Sequence, residues 1–508
     1  MPARIPILNK SPFAIDPRPL REMGSAHAGL LSVSRALRSL HLGGLVEANL
    51  ALKSRQRGFT EGQMVESLVL LQVLGGDCPE DISMLAEDPC LVRGLGYTPP
   101  KASAVRSFLN RFYDEDLAAL RPPREQQKSF IVPSSAAQQG LNRVLAGMVG
   151  RIAALLKKHG QEQKIATVDQ DATIIESHKK SALFHYENGR GYQPMVALWS
   201  EVDLALASEW SRQEASDIDC PQDSPQGRSA GDGTSQFRDG NVPAKQSPLS
   251  CAQMAFAALP AGIKERYFRG DSACHENELT AWLSDPARSL EPGGRIGFCV
   301  SAVMEKSLAA AVQEVKEADW KTYGTEADGT LRQWAEVAFV PAQSYESKAS
   351  VPLRYVGLRL LKAQGVLFAD GSDRKHYAVL TNLDWEGGRL LNWHREKAGT
   401  IEHTHDEIKN ALGGGHMPSQ KLAVNAAWFT LSLLAYNTTS AIKSLCLEGE
   451  ERTARLKRFR LLVVAIAGRM SRSECKLRLR FHAGPKAIGR ILQIWKVFEL
   501  PTQATAFS

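Results

Sequence analysis

The sequence predicts a multidomain α/β protein with a mixed sheet, a β-rich insertion and helical regions at either side. Its 508 residues are too many for one ordinary domain and suggest roughly three. Apolar residues recur at helical spacing between residues 25 and 160, and strand-like segments alternate with helical ones from Lys164 onwards. With 43% hydrophobic and 23% charged residues, the composition is globular and excludes a mostly disordered chain.

Residues 1–160 are predicted to form a helical DNA-binding region. The segment MVESLVLLQVL (residues 64–74) and residues 141–156 show the helical period most clearly. Basic residues such as Arg106 and Arg111 lie among these short segments, as they do in a helix that reads DNA. A plain helical bundle explains the same pattern, because no specific helix-turn-helix spacing is evident.

Residues 161–302 are predicted to be the first part of a core domain. KIATVDQDATII, which begins at Lys164, is rich in β-branched residues and predicts a strand. SHKKSALFHY and YQPMVALWSE predict two further antiparallel strands, and Asn188-Gly189 between them is a hairpin signal. After a predicted flexible loop over residues 211–235, helices and strands alternate, so the order is β-β-β-α-β-α-β.

Residues 303–392 predict the β-rich insertion, residues 393–440 a helical second part of the core, and residues 441–508 a basic helical C-terminal region. Within the insertion, Trp320 or Trp334 either stacks on a flipped base or packs in the core. Between residues 441 and 490, thirteen Lys or Arg residues stand against four acids, which indicates a polyanion partner or a solvated basic face.

Other classes of protein are excluded by simple counts. The longest apolar stretch, residues 461–468, is far shorter than the ~20 residues that cross a bilayer. No basic-then-apolar leader follows Met1, so we expect neither secretion by that route nor a membrane protein. The eight cysteines contain no C-x-x-C pair, which argues against an obvious zinc site or a disulfide framework and fits a reducing cytoplasm.

Four acidic residues are candidates for a catalytic site. Asp169 and Asp171 are two apart on one predicted strand, so both side chains point to the same face. Asp271 directly follows the strand ERYFRG, and Glu402 is predicted in the first turn of a helix. In a β-β-β-α-β-α-β sheet the first and fourth strands are neighbours, which predicts that Asp171 and Asp271 meet and that a following helix delivers Glu402.

Such a cluster repels itself unless a cation compensates it. Oxygen ligands of this kind suit Mg²⁺ or Mn²⁺, and a pair of ions about 3.5–4 Å apart can promote phosphoryl transfer on nucleic acid. The alternative is structural, because an Asp after a strand is often a turn residue and a Glu in a first helical turn often serves the helix dipole.

Several motifs resemble those of bacterial insertion-sequence transposases. They are VDQDATIIESHKKSALFHYENGRGYQPMVALWSE, FRDGNVPA, YFRGDSA, KAGTIEHTHDEIKNALGGGHMPS and NAAWFTLSLLAYN. The chain is most similar to insertion-sequence family 1380, a DDE group with an RNase H-like core, over roughly residues 25–490. The resemblance implies cut-and-paste DNA transposition in a bacterial cytoplasm, at the nucleoid, with Asp171, Asp271 and Glu402 as the triad that binds Mg²⁺ or Mn²⁺. Asp169 remains a rival for the first acid.

The wider transposase group carries Tyr, two residues, Arg, three residues, Glu, six residues, Lys. Glu402 and Lys409 match this pattern, whereas Arg395 and Ala398 stand at the Tyr and Arg positions. Arg395, Lys397 and Lys409 are therefore predicted to face DNA phosphates. His403 and His405 are interpreted as structural or DNA-contacting residues, and Asn425, Trp428 and Tyr436 as packing behind the site.

The resemblance implies partners as well. We expect double-stranded DNA, both the element's end repeats and the target, and a homodimer that holds two ends together. One alternative is a related metal-dependent nuclease that cuts without strand transfer. Another is a catalytically silent, transposase-derived regulator that only binds DNA.

Overall fold

The computed structural model of the protein describes residues 24–207 without positions 54, 56 and 127, and residues 238–285, 296–340, 353–473 and 476–500. The loop predicted over residues 211–235 lies outside these ranges. The helices are α1 (Leu30–Ser39), α2 (Leu42–Asn49), α3 (Glu61–Leu74), α4 (Ser83–Ala86), α5 (Pro89–Leu95), α6 (Ala102–Asn110), α7 (Glu115–Ala119), α8 (Ala136–Lys158), α9 (Pro248–Ala257), α10 (Asn277–Ser284), α11 (Lys306–Gln313), α12 (Gly387–Asn410), α13 (Leu422–Cys446), α14 (Leu456–Phe459) and α15 (Pro485–Val497). The strands are β1 (Gly24–Ser25), β2 (Ile165–Ala172), β3 (Ile175–Glu176), β4 (Leu183–Phe184), β5 (Arg190–Tyr192), β6 (Met195–Trp199), β7 (Leu204–Ala207), β8 (Glu265–Gly270), β9 (Ile296–Ser301), β10 (Lys321–Thr325), β11 (Leu331–Val337), β12 (Arg354–Leu361), β13 (Arg374–Thr381), β14 (Gly468–Ser473) and β15 (Lys476–Phe481).

A nine-stranded mixed sheet forms the centre of the fold, in the order β10-β11-β12-β13-β9-β8-β2-β6-β7. β2, β8 and β9 run parallel, and every other neighbouring pair is antiparallel. The register of β2 on β8 sets Gln170 opposite Gly270. The predicted mixed α/β class and the predicted adjacency of the first and fourth core strands are both confirmed.

The identities of the second and third core strands were predicted wrongly. SHKKSALFHY contributes only Leu183–Phe184, which belongs to a small separate sheet of β3, β5 and β4. The segment YQPMVALWSE supplies the second core strand, β6, and the short wholly buried β7 is the third. β7 reads LALA, which lacks both β-branched residues and polar alternation, so its sequence carries little strand signal. The Asn188 hairpin signal is confirmed, since Asn188 has a φ of 64° in the turn between β4 and β5.

The strands of the predicted insertion continue the central sheet. Residues Val379–Thr381 of β13 pair with Cys299–Ser301 of β9 in antiparallel fashion. Trp320 and Trp334 are only 8% and 7% exposed, which places both side chains in the core rather than at a base-stacking surface. The boundaries drawn around this region from the sequence remain predictions.

One helix, α13, forms the centre of the helical layer. Nearly all of its residues from Val424 to Cys446 are buried, because α3 and α8 of the N-terminal region, strand β7 and helix α12 all pack on it. A helix that is apolar around its whole circumference is expected in such a position. Asn425, Trp428 and Tyr436 are fully buried in it, as predicted.

The C-terminal region is not purely helical, which corrects the prediction. β14 and β15 form a hairpin there, and β14 also pairs with Gly24–Ser25 of β1. Basic and apolar residues alternate in KLRLRF, and this period of two is typical of a strand. Cross-strand register sets Arg469 opposite Arg480 and Ser471 opposite Arg478, so these arginines share one face of the hairpin. Among the described helices, none has both the length and the hydrophobicity to cross a membrane.

Candidate active site

Two aspartates lie side by side at the ends of parallel strands β2 and β8. Asp171 is the residue after Gln170, and Asp271 is the residue after its strand partner Gly270. Each carboxylate accepts a hydrogen bond from a nearby backbone N–H, Asp171 from Ala172 at 2.9 Å and Asp271 from Ala273 at 3.1 Å. These local bonds fix both carboxylates at the carboxyl edge of the sheet, where open α/β sheets place their sites.

A buried lysine compensates the two negative charges. The Nζ atom of Lys397 on α12 lies 3.1 Å from Oδ2 of Asp171. Burial lowers the pKa of Lys397, but the charges of Asp171 and Asp271 outweigh that effect and the pKa is raised. Burial raises the pKa of Asp271, the charge of Asp171 raises it further, and Lys397 opposes both. The ammonium group therefore interacts with both carboxylates.

Gly270 allows a close approach at the turn that carries Asp271. A Cβ atom on Gly270 would lie 2.5 Å from the Cβ of Cys274, which excludes any larger residue there. Nε2 of His394 lies 3.1 Å from the Gly270 carbonyl oxygen, and because that oxygen only accepts, Nε2 carries the proton. Burial lowers the pKa of His394 to about 4, and the Lys397 charge acts in the same direction. Neutral His394 thus ties α12 to the end of β8.

Helix α12 passes over both strand ends as one continuous element. The carboxylate of Glu386 caps it by accepting from the Arg389 N–H at 2.8 Å. Glu402 therefore lies deep inside the helix, and its predicted position in a first turn was wrong. The Gly387-Gly388 pair and Gly399 obscured the helical period from which the start was predicted.

The structure brings two of the three predicted acids together and sets the third on the neighbouring helix. Glu402 is exposed, and it shares a helix face with His405 and Lys409, three and seven residues further on. Within the described ranges, the three acids do not form a group with ligand atoms inside 4.8 Å of one another. The acidic group that meets this criterion there is Asp77, Cys78 and Asp81, where Asp81 accepts from two backbone N–H groups of the turn after α3.

Asp169, the rival for the first acid, is fully buried, and both of its carboxylate oxygens accept hydrogen bonds from side chains. Arg269 on β8 donates to its two oxygens at 2.6 and 2.9 Å, and the hydroxyl of Thr400 donates to Oδ2. Arg269 also donates to the Trp393 carbonyl oxygen at 2.6 Å and to Glu396 at 3.1 Å. This ion pair joins β2, β8 and α12 beneath the site. Arg269 was not among the residues predicted from the sequence, although an arginine within the strand ERYFRG signals a buried acidic partner.

The three predicted phosphate contacts occupy different environments. Arg395 is exposed, and its Nη1 lies 3.6 Å from Glu326 in the turn between β10 and β11. Nζ of Lys409 donates to the Ile174 carbonyl oxygen at 3.3 Å, just beyond β2. Lys397 is 7% exposed and holds Asp171 instead of facing outwards. Contact of these residues with DNA stays a prediction.

Histidine 405 is buried beside the acidic pair. Burial lowers the pKa of His405 to about 4, although the charge of Asp171 opposes this. Nε2 of His405 finds no hydrogen-bond partner among the residues that the structure describes. The interpretation of His405 as a structural residue fits its burial, since a neutral imidazole packs on the α12 side of the site.

One exposed aromatic residue in the β4–β5 turn was not among the residues predicted from the sequence. Tyr186 lies in the turn between β4 and β5 and is 73% exposed. Burial and Glu187 raise the pKa of Tyr186, and the charges of Asp171 and Asp271 raise it further. The guanidinium of Arg190 stacks on Phe184 at 4.6 Å in the same hairpin.

The site consists of two aspartates at the edge of a mixed sheet, under a helix that carries a third acid. The chain that forms this site matches the sequence profile of a family of DDE transposase domains. The sequence profile of the family described as transposase DDE domain group 1 matches residues 234–488, slightly more than half of the chain. The chain therefore belongs to this family. The matched segment contains Asp271 and Glu402 but not Asp171.

Comparison with solved structures finds the cryo-EM structure of a piggyBac transposase synaptic complex with hairpin DNA. The TM-score is 0.40 at 10% sequence identity, over 94% of this chain and 87% of that chain. A likeness at this level supports no inference about the site. Comparison with curated proteins finds no match.

Proposed function

We propose that this protein is a DNA transposase that cleaves phosphodiester bonds at the ends of a transposable element and joins them to target DNA. The observation that carries the proposal is the meeting of Asp171 and Asp271 at the ends of parallel strands, in a chain of the DDE domain family. In this proposal the strands β7-β6-β2-β8-β9 are the RNase H-like core, and α12 supplies Glu402.

The donor set fits divalent ions of the hard type. Asp171 and Asp271 present carboxylate oxygens on one edge, and Glu402 lies on the helix that crosses that edge. A pair of Mg²⁺ or Mn²⁺ ions would activate a water or a 3′-hydroxyl and stabilise the leaving oxygen. We assign the first acid to Asp171 rather than Asp169, because Arg269 and Thr400 already use the Asp169 oxygens.

The remaining residues of the site hold the acids and receive DNA. The Lys409 ammonium and the exposed Arg395, fourteen residues apart along α12, are suited to contact phosphates. Arg469, Arg478 and Arg480, all exposed on one face of the β14–β15 hairpin, extend the positive surface for double-stranded DNA. Transposition requires two ends to be held together, so we propose a homodimer as the active assembly, and we place the chain in insertion-sequence family 1380 of bacteria.

Cleavage of DNA that carries the repeats flanking the gene tests the proposal. With Mg²⁺ or Mn²⁺ we expect nicking at the repeat ends, and loss of at least a hundredfold in rate in Asp171→Asn, Asp271→Asn and Glu402→Gln. Asp406→Asn, four residues further along α12 at a half-buried position where the carboxylate pairs with Arg455, is the matched control and should cleave normally. Full activity of Asp271→Asn would rule out the proposed site.

A second assay separates transposition from simple cleavage. DNA ends that are already nicked and carry a 3′-hydroxyl should be joined to a target plasmid by the same metal-loaded protein. Cleavage without joined products would support the nuclease alternative. Binding of the repeats without either product would support the silent regulator.

A further inference from the structure

Lys397 is a lysine in an unusual place. Its side chain is buried under α12, its Nζ is 3.1 Å from Asp171, and both aspartates of the pair act on its charge. Lysine is almost never fully buried unless it is paired, because an ammonium group loses much of its hydration free energy in the interior. The position therefore depends on the negative charges that it faces.

The other basic groups near the pair are either bound to other partners or neutral. Arg269 is bound to Asp169, and Lys409 donates to the Ile174 carbonyl oxygen. His394 and His405 are held neutral by burial, since the pKa of each is lowered to about 4. In the part of the chain that the structure describes, Lys397 is thus the cation that contacts Asp171, and its charge also acts on Asp271.

We propose that Lys397 is an internal counterion that occupies the acidic pair without metal and competes with divalent ions for Asp171. A divalent ion on Oδ2 of Asp171 would repel an ammonium group that lies at hydrogen-bond distance from the same atom. The lysine must then withdraw along its flexible stem when the site is loaded. Lys397 is in this view a positioning residue that sets metal affinity, and the inference rests on the metal site of the proposed function.

The test is Mn²⁺ binding by the full chain without DNA, measured by calorimetry and by thermal unfolding with and without EDTA. In Lys397→Met we expect at least tenfold tighter Mn²⁺ binding than in the unsubstituted protein. We also expect a lower Tm in EDTA, because the two aspartates repel each other uncompensated, and a larger rise of Tm on addition of Mn²⁺. If Lys397→Met does not fold, Lys397→Gln replaces it as the test variant, because glutamine retains a hydrogen-bond donor toward Asp171. We expect Lys397→Gln to change the Mn²⁺ affinity, the Tm in EDTA and the rise of Tm with Mn²⁺ in the same directions.

Lys443→Met is the matched control. Lys443 is also a buried lysine near an aspartate, with Nζ 3.7 Å from Asp203, but it lies on α13. Its substitution should lower Tm and leave Mn²⁺ affinity unchanged. Unchanged or weaker Mn²⁺ binding in folded Lys397→Met or Lys397→Gln would overturn the inference.

A third variant separates this inference from the proposed function. If the unsubstituted protein binds Mn²⁺ and Asp271→Asn does not, the proposed metal site is supported. The role of Lys397 as counterion is then tested by the Lys397 variants alone. If the unsubstituted protein binds no Mn²⁺, or Asp271→Asn binds it equally well, the metal site and the counterion are both overturned.

Discussion

At the scale of single residues, two ion pairs determine the charge around the site. The two aspartates of the VDQD motif point to the same side of β2, yet their carboxylates lie in different environments. Asp169 meets Arg269 and is neutralised in the interior, whereas Asp171 lies at the strand end against Lys397. One motif thereby supplies a structural acid and a candidate catalytic acid, two residues apart.

Arg269→Met should strongly destabilise the fold. Among the described residues, it leaves the buried Asp169 with the Thr400 hydroxyl as its remaining side-chain donor, and breaking a buried ion pair from one side costs about 3–5 kcal/mol. Urea unfolding in EDTA measures this loss. The double substitution Arg269→Met with Asp169→Leu removes both charges and should recover most of it. Equal losses in the single and double variants would show that the pair's charges are not the cause.

His394 makes stability depend on pH. The pKa of His394 is lowered to about 4 by burial, whereas a histidine in an unfolded chain titrates near 6.5. Between these two values the unfolded chain binds a proton that the folded chain does not, so the free energy of unfolding falls as pH falls. By linkage the contribution is about 2 kcal/mol between pH 7 and pH 5.

Urea unfolding at both pH values in EDTA checks this, with His394→Gln as the comparison. Glutamine keeps a donor for the Gly270 carbonyl oxygen but does not titrate. The variant should therefore lose less stability on acidification than the unsubstituted protein. His405 contributes with the same sign, so some pH dependence persists in the variant.

Contacts between whole elements hold the sheet to the helical layer. α12 is tied to the ends of β2 and β8 by the side chains of His394, Lys397 and Thr400. α13 lies behind α12, and the hydroxyl of Tyr436 bonds with Thr404 at 3.0 Å. A displacement of α13 would therefore be transmitted to the helix that carries Glu402.

Asn437 on α13 is the contact that secures the edge strand β7. Its side-chain amide donates to the Ala205 carbonyl oxygen at 2.8 Å and accepts from the Ala205 N–H at 2.7 Å. Asn437→Leu leaves both buried backbone groups without these bonds, which should cost about 2–4 kcal/mol. Hydrogen exchange should show faster exchange of the β7 amides.

Thr438→Val is the control for this substitution. Thr438 is equally buried, but its hydroxyl donates within α13 to the Leu434 carbonyl oxygen. We expect a loss below about 1 kcal/mol and unchanged exchange in β7. Equal effects of the two substitutions would mean that Asn437 acts through helix packing rather than through β7.

At the scale of the whole molecule, regions distant in sequence are joined. Trp495 of α15 donates to Ser32 on α1 at 3.0 Å, and the guanidinium of Arg35 lies 4.5 Å above its ring. β1 and β14 pair at the same side of the molecule. The helical N-terminal region therefore uses the C-terminal region as part of its own packing.

Trp495→Ala should loosen both regions together. Because the side chain is 36% exposed, the expected loss is about 2 kcal/mol, less than for a fully buried tryptophan. Hydrogen exchange should increase in α1 as well as in α15. Leu492→Ala, at a position 62% exposed on the same helix, should change neither the stability nor the hydrogen exchange of α1 and α15. Faster exchange confined to α15 would contradict the proposed coupling.

Local sequence patterns determined much of this protein. The β-branched residues of KIATVDQDATII, the Asn188 turn and the helical period of the NAAWFTLSLLAYN segment each produce the expected element. These features depend on residues within a few positions of one another, which a linear pattern records. The position of Asp271 at a strand end is local in the same way, and the order of the core elements along the chain predicted that its strand lies beside the strand of Asp171.

Only the tertiary structure decided which acids are free for chemistry and which strands complete the sheet. Asp169 is neutralised by a residue 100 positions away, and Asp171 is paired with one 226 positions away. The burial of LALA as β7 and the pairing of β1 with β14 likewise depend on neighbours from remote segments. The physical reason is that desolvation and ion pairing are set by which elements pack together, and periodicity along the chain does not encode that choice.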